Sequence, residues 1–319
     1  MAGSSSPAEY LSEYDGPGAS QAVRVTRDGS QFSILEKGAF GKIAGQAINR
    51  STGRSVDYID AGAKGTTLKQ WASKDSVYRL RLIDLIKASG GADIVLLQVG
   101  RNDAAFGLVA SRQGQLDMIK SVISDIRVSC GQPDILFVLG ASQDLPGVDA
   151  ATQELLALQR LAELDAAASI SNVWYGFSTY DLPTRDGIHQ SEEGQIVSGA
   201  RFAEQVISYV GKTTPPRGPR GASAVRIDAT TLNLDLNVFQ GLSFQPDTNI
   251  SGFYIRDQTG LFAATAVKTS PTTVRITHKP QGATNFEIRY ALDADLDAQI
   301  CLHDTSSTRR PMEPLMMVI

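Results

Sequence analysis

The rhythm of apolar and polar positions changes near residue 212. Upstream, short apolar runs alternate with helical patterns. Residues 55–60, 92–99, 134–139 and 172–177 read as strands. The second is a near-continuous apolar run, as expected of a strand covered on both faces. Residues 40–49, 73–88, 108–128 and 150–168 follow the helical period, and Ile196, Ala200, Ala203, Ile207 and Val210 form one stripe of a last helix. Such alternation predicts a parallel sheet between helices, a three-layer α/β/α domain over residues 1–212. A further short strand at residues 22–26 reads as a hairpin arm with Asp28-Gly29 as its turn. Residues 213–222, built from Thr, Pro, Arg and Gly with few apolar positions, read as a linker. Beyond them, residues 225–227, 231–236, 252–256, 273–277 and 285–290 alternate apolar and polar between turn residues. That pattern predicts an antiparallel β-sandwich domain over residues 223–319.

Composition narrows the function classes. A chain of 319 residues accommodates two domains, and its 42% hydrophobic and 20% charged residues are those of an ordinary globular protein. A net charge of −4 gives no electrostatic case for nucleic acid or an anionic membrane as partner. No apolar run approaches the roughly 18 residues of a membrane span. The start, Met1 to Ser6, has neither the basic nor the apolar part of a secretory signal, so the expected location is the cytoplasm, or a particle surface if the chain belongs to a larger assembly. Cys130 and Cys301 are too few for a disulfide framework or a zinc site and read as unbridged thiols. No metal and no organic cofactor is expected.

Candidate chemistry gathers where strands end, because function in parallel sheets lies at their carboxyl edge. After the strand at 55–60 comes Gly65. After 92–99 comes Gly100-Arg101-Asn102-Asp103. After 172–177 comes a Pro/Gly-marked loop holding Asp186-Gly187-Ile188-His189, with a helix signal directly behind it. An aspartate three residues before a histidine can fix the ring's tautomer and stabilise its imidazolium, as nucleophilic hydrolysis requires. A glycine at a strand end offers a bare N–H, and an asparagine beside it a second donor; together they suit an oxyanion. Taken singly, each residue also has a plain reading: Gly65 as a turn residue, Asn102 as a helix cap, Asp186 and His189 as a surface pair at a helix start. The other histidines, His278 and His303, have no companion at ligand spacing and read as surface or packing residues. Phe239, Phe244, Phe253, Tyr254 and Phe262 read as sandwich core, with sugar stacking as the alternative.

These marks together resemble the sequence blocks of the SGNH hydrolases, and most closely the carbohydrate O-acetylesterase branch that includes sialate and xylan acetylesterases. Gly65-Thr66-Thr67-Leu68-Lys69-Gln70-Trp71 resembles the second block. Gly100-Arg101-Asn102-Asp103 resembles the third, and Asp186-Gly187-Ile188-His189 the fifth. The resemblance covers about residues 1–212 and implies a flavodoxin-like α/β/α fold with a carbohydrate or polysaccharide as substrate. It implies Ser5 as nucleophile, Asp186 and His189 as its partners, and an oxyanion hole made by Ser5, Gly65 and Asn102. Around Ser5 the chain departs from the family: Ser4 stands where a glutamine is usual and Ser6 where an asparagine is, behind a first strand that is missing or very short. Ser30, after the strand at 22–26, is the rival nucleophile.

Two readings of function follow. One is a serine esterase that removes O-acetyl groups from a carbohydrate. The other is a catalytically impaired recognition or structural module of the same fold, for example in a phage-like surface spike, assembled with other chains or copies of itself.

Overall fold

The computed structural model describes residues 2–3, 11, 14, 18–140, 145, 147–239, 241–279, 285–293 and 300–319. In chain order the first part holds β1 (Ala2–Gly3), β2 (Val23–Thr26), β3 (Ser33–Ile34), α1 (Ala39–Thr52), β4 (Val56–Ile59), α2 (Leu68–Ala72), α3 (Val77–Ala88), β5 (Ile94–Gln98), α4 (Arg101–Ala105), α5 (Arg112–Cys130), β6 (Leu136–Leu139), α6 (Ala150–Ser169), β7 (Val173–Tyr175) and α7 (Glu192–Gly211). Strands β1, β5, β6 and β7 make one wholly parallel sheet in that order. Strand β4 runs parallel to β2 in a smaller sheet with order β3-β2-β4.

The continuous apolar runs of β5 and β6 have the expected cause. Val95, Leu97, Phe137 and Leu139 pack with Leu82 and Ile86 of α3 and Ile119 and Ile123 of α5. The intervening Leu96, Leu136 and Val138 pack with Phe40 and Ala44 of α1 and Phe202 and Ala203 of α7. Alternate side chains thus enter two separate apolar clusters, one on each face of the sheet.

Several elements differ from their predicted form. The helix expected at 73–88 begins only at Val77, because Ser76 caps α3 by accepting from the Arg79 N–H at 3.2 Å. The tight turn expected at Asp28-Gly29 is a loop from 27 to 32 in which the Asp28 carboxylate accepts from the Ser30 and Gln31 N–H groups, and the longer partner of β2 is parallel β4 rather than β3. On α7 the predicted apolar stripe is only half-buried apart from Ala203, while Gln195, Ser198, Gly199, Arg201, Gln205 and Ser208 are buried. That helix is covered on more than one side: Gly199 lies against the Phe40 backbone of α1, and Gln205 donates to the Pro216 carbonyl at 2.7 Å.

The stretch read as a linker is docked over residues 215–219, which are buried or half-buried. Arg217 pairs with Glu313, and β8 already begins at Arg220. β8 (Arg220–Arg226) pairs with β9 (Thr231–Asn237). The chain continues through β10 (Phe244–Gln245), β11 (Phe253–Asp257), β12 (Gly260–Ala263), β13 (Thr265–Ser270), β14 (Thr273–Thr277), β15 (Glu287–Tyr290), β16 (His303–Asp304) and β17 (Leu315–Val318). These form antiparallel sheets of order β13-β14-β9-β8, β12-β11-β15-β17 and β10-β16. Leu232, Leu234, Leu236, Val274 and Ile276 of the first share one apolar cluster with Phe253, Ile255 and Ile288 of the second, and Tyr175 and Tyr180 from the first part join it. Phe244 and Phe253 are core residues, as read from the sequence, whereas Phe239, Tyr254 and Phe262 are half-buried. Both His278 and His303 are buried, each with its Nδ1 against the carbonyl of the next residue. Cys130 and Cys301 form no disulfide. No helix among the described residues is long and apolar enough to cross a membrane.

Candidate active site

The site is built on segments that leave the carboxyl ends of strands. After β4 the chain turns through Gly65, whose φ of 70° suits a residue without a Cβ, into α2. Thr67 caps that helix and Gln70 answers it, a reciprocal capping box: Gln70 N–H donates to Thr67 Oγ1 at 3.1 Å and Thr67 N–H to Gln70 Oε1 at 2.9 Å. The buried Trp71 indole donates to Thr66 Oγ1 at 3.0 Å, which fixes the residue next to Gly65.

After β5, Gly100 opens the short helix α4. Asn102 lies inside its first turn and is not its cap. The Asn102 Nδ2 donates to the Thr66 carbonyl at 3.0 Å, joining the Gly65 and Gly100 segments. Asp103 ties them again. Its fully buried carboxylate accepts from the Leu68 and Lys69 N–H groups at 2.5 and 2.9 Å, at the start of α2. Burial pushes the Asp103 carboxyl upward, and the N–H groups of Lys69 and Leu68 oppose the rise. Replacing Asp103 with alanine strands these donors and is expected to cost about 2 kcal/mol of stability, read as a lower urea midpoint at constant slope.

The third segment follows β7. Asp186 Oδ1 accepts from the Ile188 and His189 N–H groups at 3.0 and 2.7 Å, and its Oδ2 lies 2.6 Å from His189 Nδ1. The His189 side-chain bond, then its backbone N–H, hold the Asp186 carboxyl well below the usual carboxylate range. Since Nδ1–H donates to the carboxylate, the ring's acceptor is Nε2. Gly187 N–H donates to Thr184 Oγ1 at 3.1 Å, and Ser191 caps α7 directly behind. The buried Arg101 reaches across from the α4 segment and donates Nη1 to the Ile188 carbonyl at 2.7 Å. Asn102 therefore touches the neighbour of Gly65, and Arg101 the neighbour of His189.

Ser5 lies outside the described residues. The strand before it is two residues long, with Ala2 opposite Leu97 and Gly3 opposite Gln98, so it leaves the sheet at the same end as Gly100 and Asn102. Ser30 sits elsewhere. It is exposed, its N–H bonds Asp28, and the adjoining Gly29 carbonyl accepts from Ser89 at the end of α3. That helix feeds the opposite, amino end of β5.

Arg101, Asp103 and Trp71 lie inside the sequence blocks, but their residue types alone assign them no partner. The capping box of Thr67 and Gln70 was readable as a four-residue pattern. The partners of Arg101 and Asp103 lie 87 and about 35 residues away and left no local signal.

The fold is similar to that of a carbohydrate acetylesterase from Xanthomonas citri, at 16% identity and a TM-score of 0.73 over 99% of this chain and 79% of that one. A protein from Arabidopsis thaliana matches at 17% identity and 0.52 over 65% of this chain and 96% of its own. The first likeness spans the C-terminal sheets as well as the parallel one. No curated protein matches the sequence. The family model described as carbohydrate esterase, sialic acid-specific acetylesterase matches residues 28–208, which carry Gly65, Asn102, Asp186 and His189, and the chain belongs to that family of carbohydrate esterases.

Proposed function

We propose that the protein is a serine esterase that removes O-acetyl groups from a carbohydrate, with Ser5 as nucleophile and His189, oriented by Asp186, as its base. Ser5 Oγ attacks the acetyl carbonyl while His189 Nε2 takes its proton. The resulting oxyanion is held by the N–H groups of Ser5 and Gly65 and by the Asn102 amide. Collapse expels the sugar oxygen, which takes the proton from His189 and leaves as a hydroxyl. Water, deprotonated by the same ring, then releases acetate and restores Ser5. The observation that carries the reading is the Asp186–His189 contact of 2.6 Å, joined through Arg101 to the Asn102 segment.

The Asn102 amide supports its role in a second way. One N–H is committed to the Thr66 carbonyl, which fixes the plane of the amide, and the other remains for the developing oxyanion. Replacing Asn102 with alanine is expected to lower kcat on p-nitrophenyl acetate by about 10²–10³-fold with little change in KM. Retained activity in that variant would remove Asn102 from the site.

We read residues 1–212 as a three-layer α/β/α catalytic domain, residues 213–222 as its connection, and residues 223–319 as a β-sandwich. Support comes from the two apolar clusters flanking the parallel sheet and from the single cluster shared by the two larger antiparallel sheets. The impaired recognition module is the weaker reading, since the family is one of esterases and the Asp186–His189 pair is in contact. Release of acetate from an acetylated sialic acid or xylan decides between them. Binding of the glycan without release would favour the module.

A further inference from the structure

A buried polar pair beneath the Gly100 turn takes no part in the chemistry described above. Gln159 and Glu163 lie one helical turn apart on α6 and are 0% and 3% exposed. The Gln159 Nε2 donates to the Val99 carbonyl at 3.2 Å and to Glu163 Oε1 at 3.0 Å. The Val99 carbonyl lies just past the end of β5, and the Gln159 amide satisfies it there. The approach is close. Gly100 has φ 112°, and a Cβ built on it would fall 2.1 Å from the Gln159 amide carbon. The Gln159 amide thus occupies the space under the residue from which Arg101 and Asn102 depart. A leucine would fill that volume without the cost of burying an amide and a carboxyl, so a polar pair here points to a demand for direction rather than bulk.

We propose that Gln159 is a positioning residue for Asn102: held by Glu163, its amide fixes the Val99–Gly100 backbone, and that backbone sets the aim of the Asn102 side chain at the oxyanion. The proposal rests on the reading of Asn102 as an oxyanion donor. The next residue of α6 ties the helix to the C-terminal part. Arg160 donates Nη1 to the Ala291 carbonyl at 2.6 Å, so α6 is braced by the C-terminal strands. Burial pushes the Glu163 carboxyl up to about 8, opposed by the Gln159 amide and by Arg160. Tyr175 of β7 is a further titratable group close to it. The Gln159 N–H finds an acceptor oxygen on Glu163 whether or not the carboxyl is ionised, so the pair holds the same geometry in both states.

The test is a double-mutant cycle on p-nitrophenyl acetate with the wild type, Asn102→Ala, Gln159→Leu and the double variant. Gln159→Leu is expected to lower kcat about tenfold to a hundredfold with KM unchanged, the scale of a small misplacement of a catalytic group. In the Asn102→Ala background the same change is expected to do almost nothing, because its effect passes through Asn102. Equal losses in both backgrounds overturn the proposal and leave Gln159 a plain core residue. If Asn102→Ala itself retains full kcat, the oxyanion reading is what fails, and the proposal falls with it. Should Gln159→Leu not fold, Gln159→Met keeps a long unbranched side chain and removes the amide. Its kcat is expected to fall in the wild-type background and to stay almost unchanged in the Asn102→Ala background. An equal loss in both backgrounds, or no loss in either, overturns the role given to the pair.

Discussion

Replacing His189 with alanine is expected to remove nearly all hydrolysis of p-nitrophenyl acetate, a loss in kcat of about 10⁵–10⁶-fold. Replacing Ser5 with alanine is expected to do the same, and the double variant no more, because nucleophile and base act as one unit. Ser30→Ala is expected to leave the rate unchanged, since Ser30 is held at the Asp28 turn by the amino end of β5. Asp186→Asn tests the orientation. An asparagine oxygen still accepts from the Ile188 and His189 N–H groups, so the loop keeps its form. Its amide, however, donates to His189 Nδ1 and moves the ring proton to Nε2, where the acceptor is needed. The expected loss is about 10⁴-fold in kcat. The wild-type rate is expected to fall on acidification, because a protonated imidazole cannot take the serine proton. Wild-type activity in Ser5→Ala would discard Ser5, and wild-type activity in His189→Ala would discard serine-esterase chemistry at this site.

The parts of this site that were legible in the sequence are local ones. Asp186 and His189 are three residues apart, so one short loop contains the whole interaction. The apolar runs of β5 and β6 announce strands buried on both faces, because every residue there meets one cluster or the other. What was illegible is long-range. Asn102 meets Thr66 across 36 residues, Gln159 meets Val99 across 60, and Arg101 meets Ile188 across 87. Nothing in the identity of a glutamine on a helix says which carbonyl it will find. Helix α7 shows a second cause. Its apolar stripe is set by its own period, but it is buried on several sides, so polar residues off the stripe become the most enclosed. A helix packed twice outruns a pattern that presumes one wet face.

Arg201 on that helix carries the largest expected effect on stability. Its side chain is 1% exposed. Nη1 and Nη2 meet the two oxygens of Asp181 at 2.8 and 2.6 Å in a bidentate pair. The same guanidinium donates to the carbonyls of Ser178 at 2.9 Å, Thr308 at 3.1 Å and Arg309 at 2.6 Å. It thereby fastens the segment after β7, which goes on to Asp186 and His189, to α7 and to the C-terminal part. Arg201→Leu leaves a nearly buried carboxylate without its partner and three carbonyls without a donor, and is expected to cost about 3–5 kcal/mol. Adding Asp181→Leu is expected to recover the part owed to the stranded charge but not the part owed to the carbonyls. Arg201→Lys is a poor substitute, because one ammonium cannot span five acceptors set around a planar fork. Urea denaturation followed by far-UV circular dichroism measures these costs, and esterase activity in the same titration separates local from global loss. In Arg201→Lys the activity is expected to disappear at lower urea than the helical signal, since the anchored segment holds the Asp186–His189 pair and loosens first. Coincident midpoints in that variant would show that Arg201 stabilises the whole fold evenly and has no special hold on the catalytic loop.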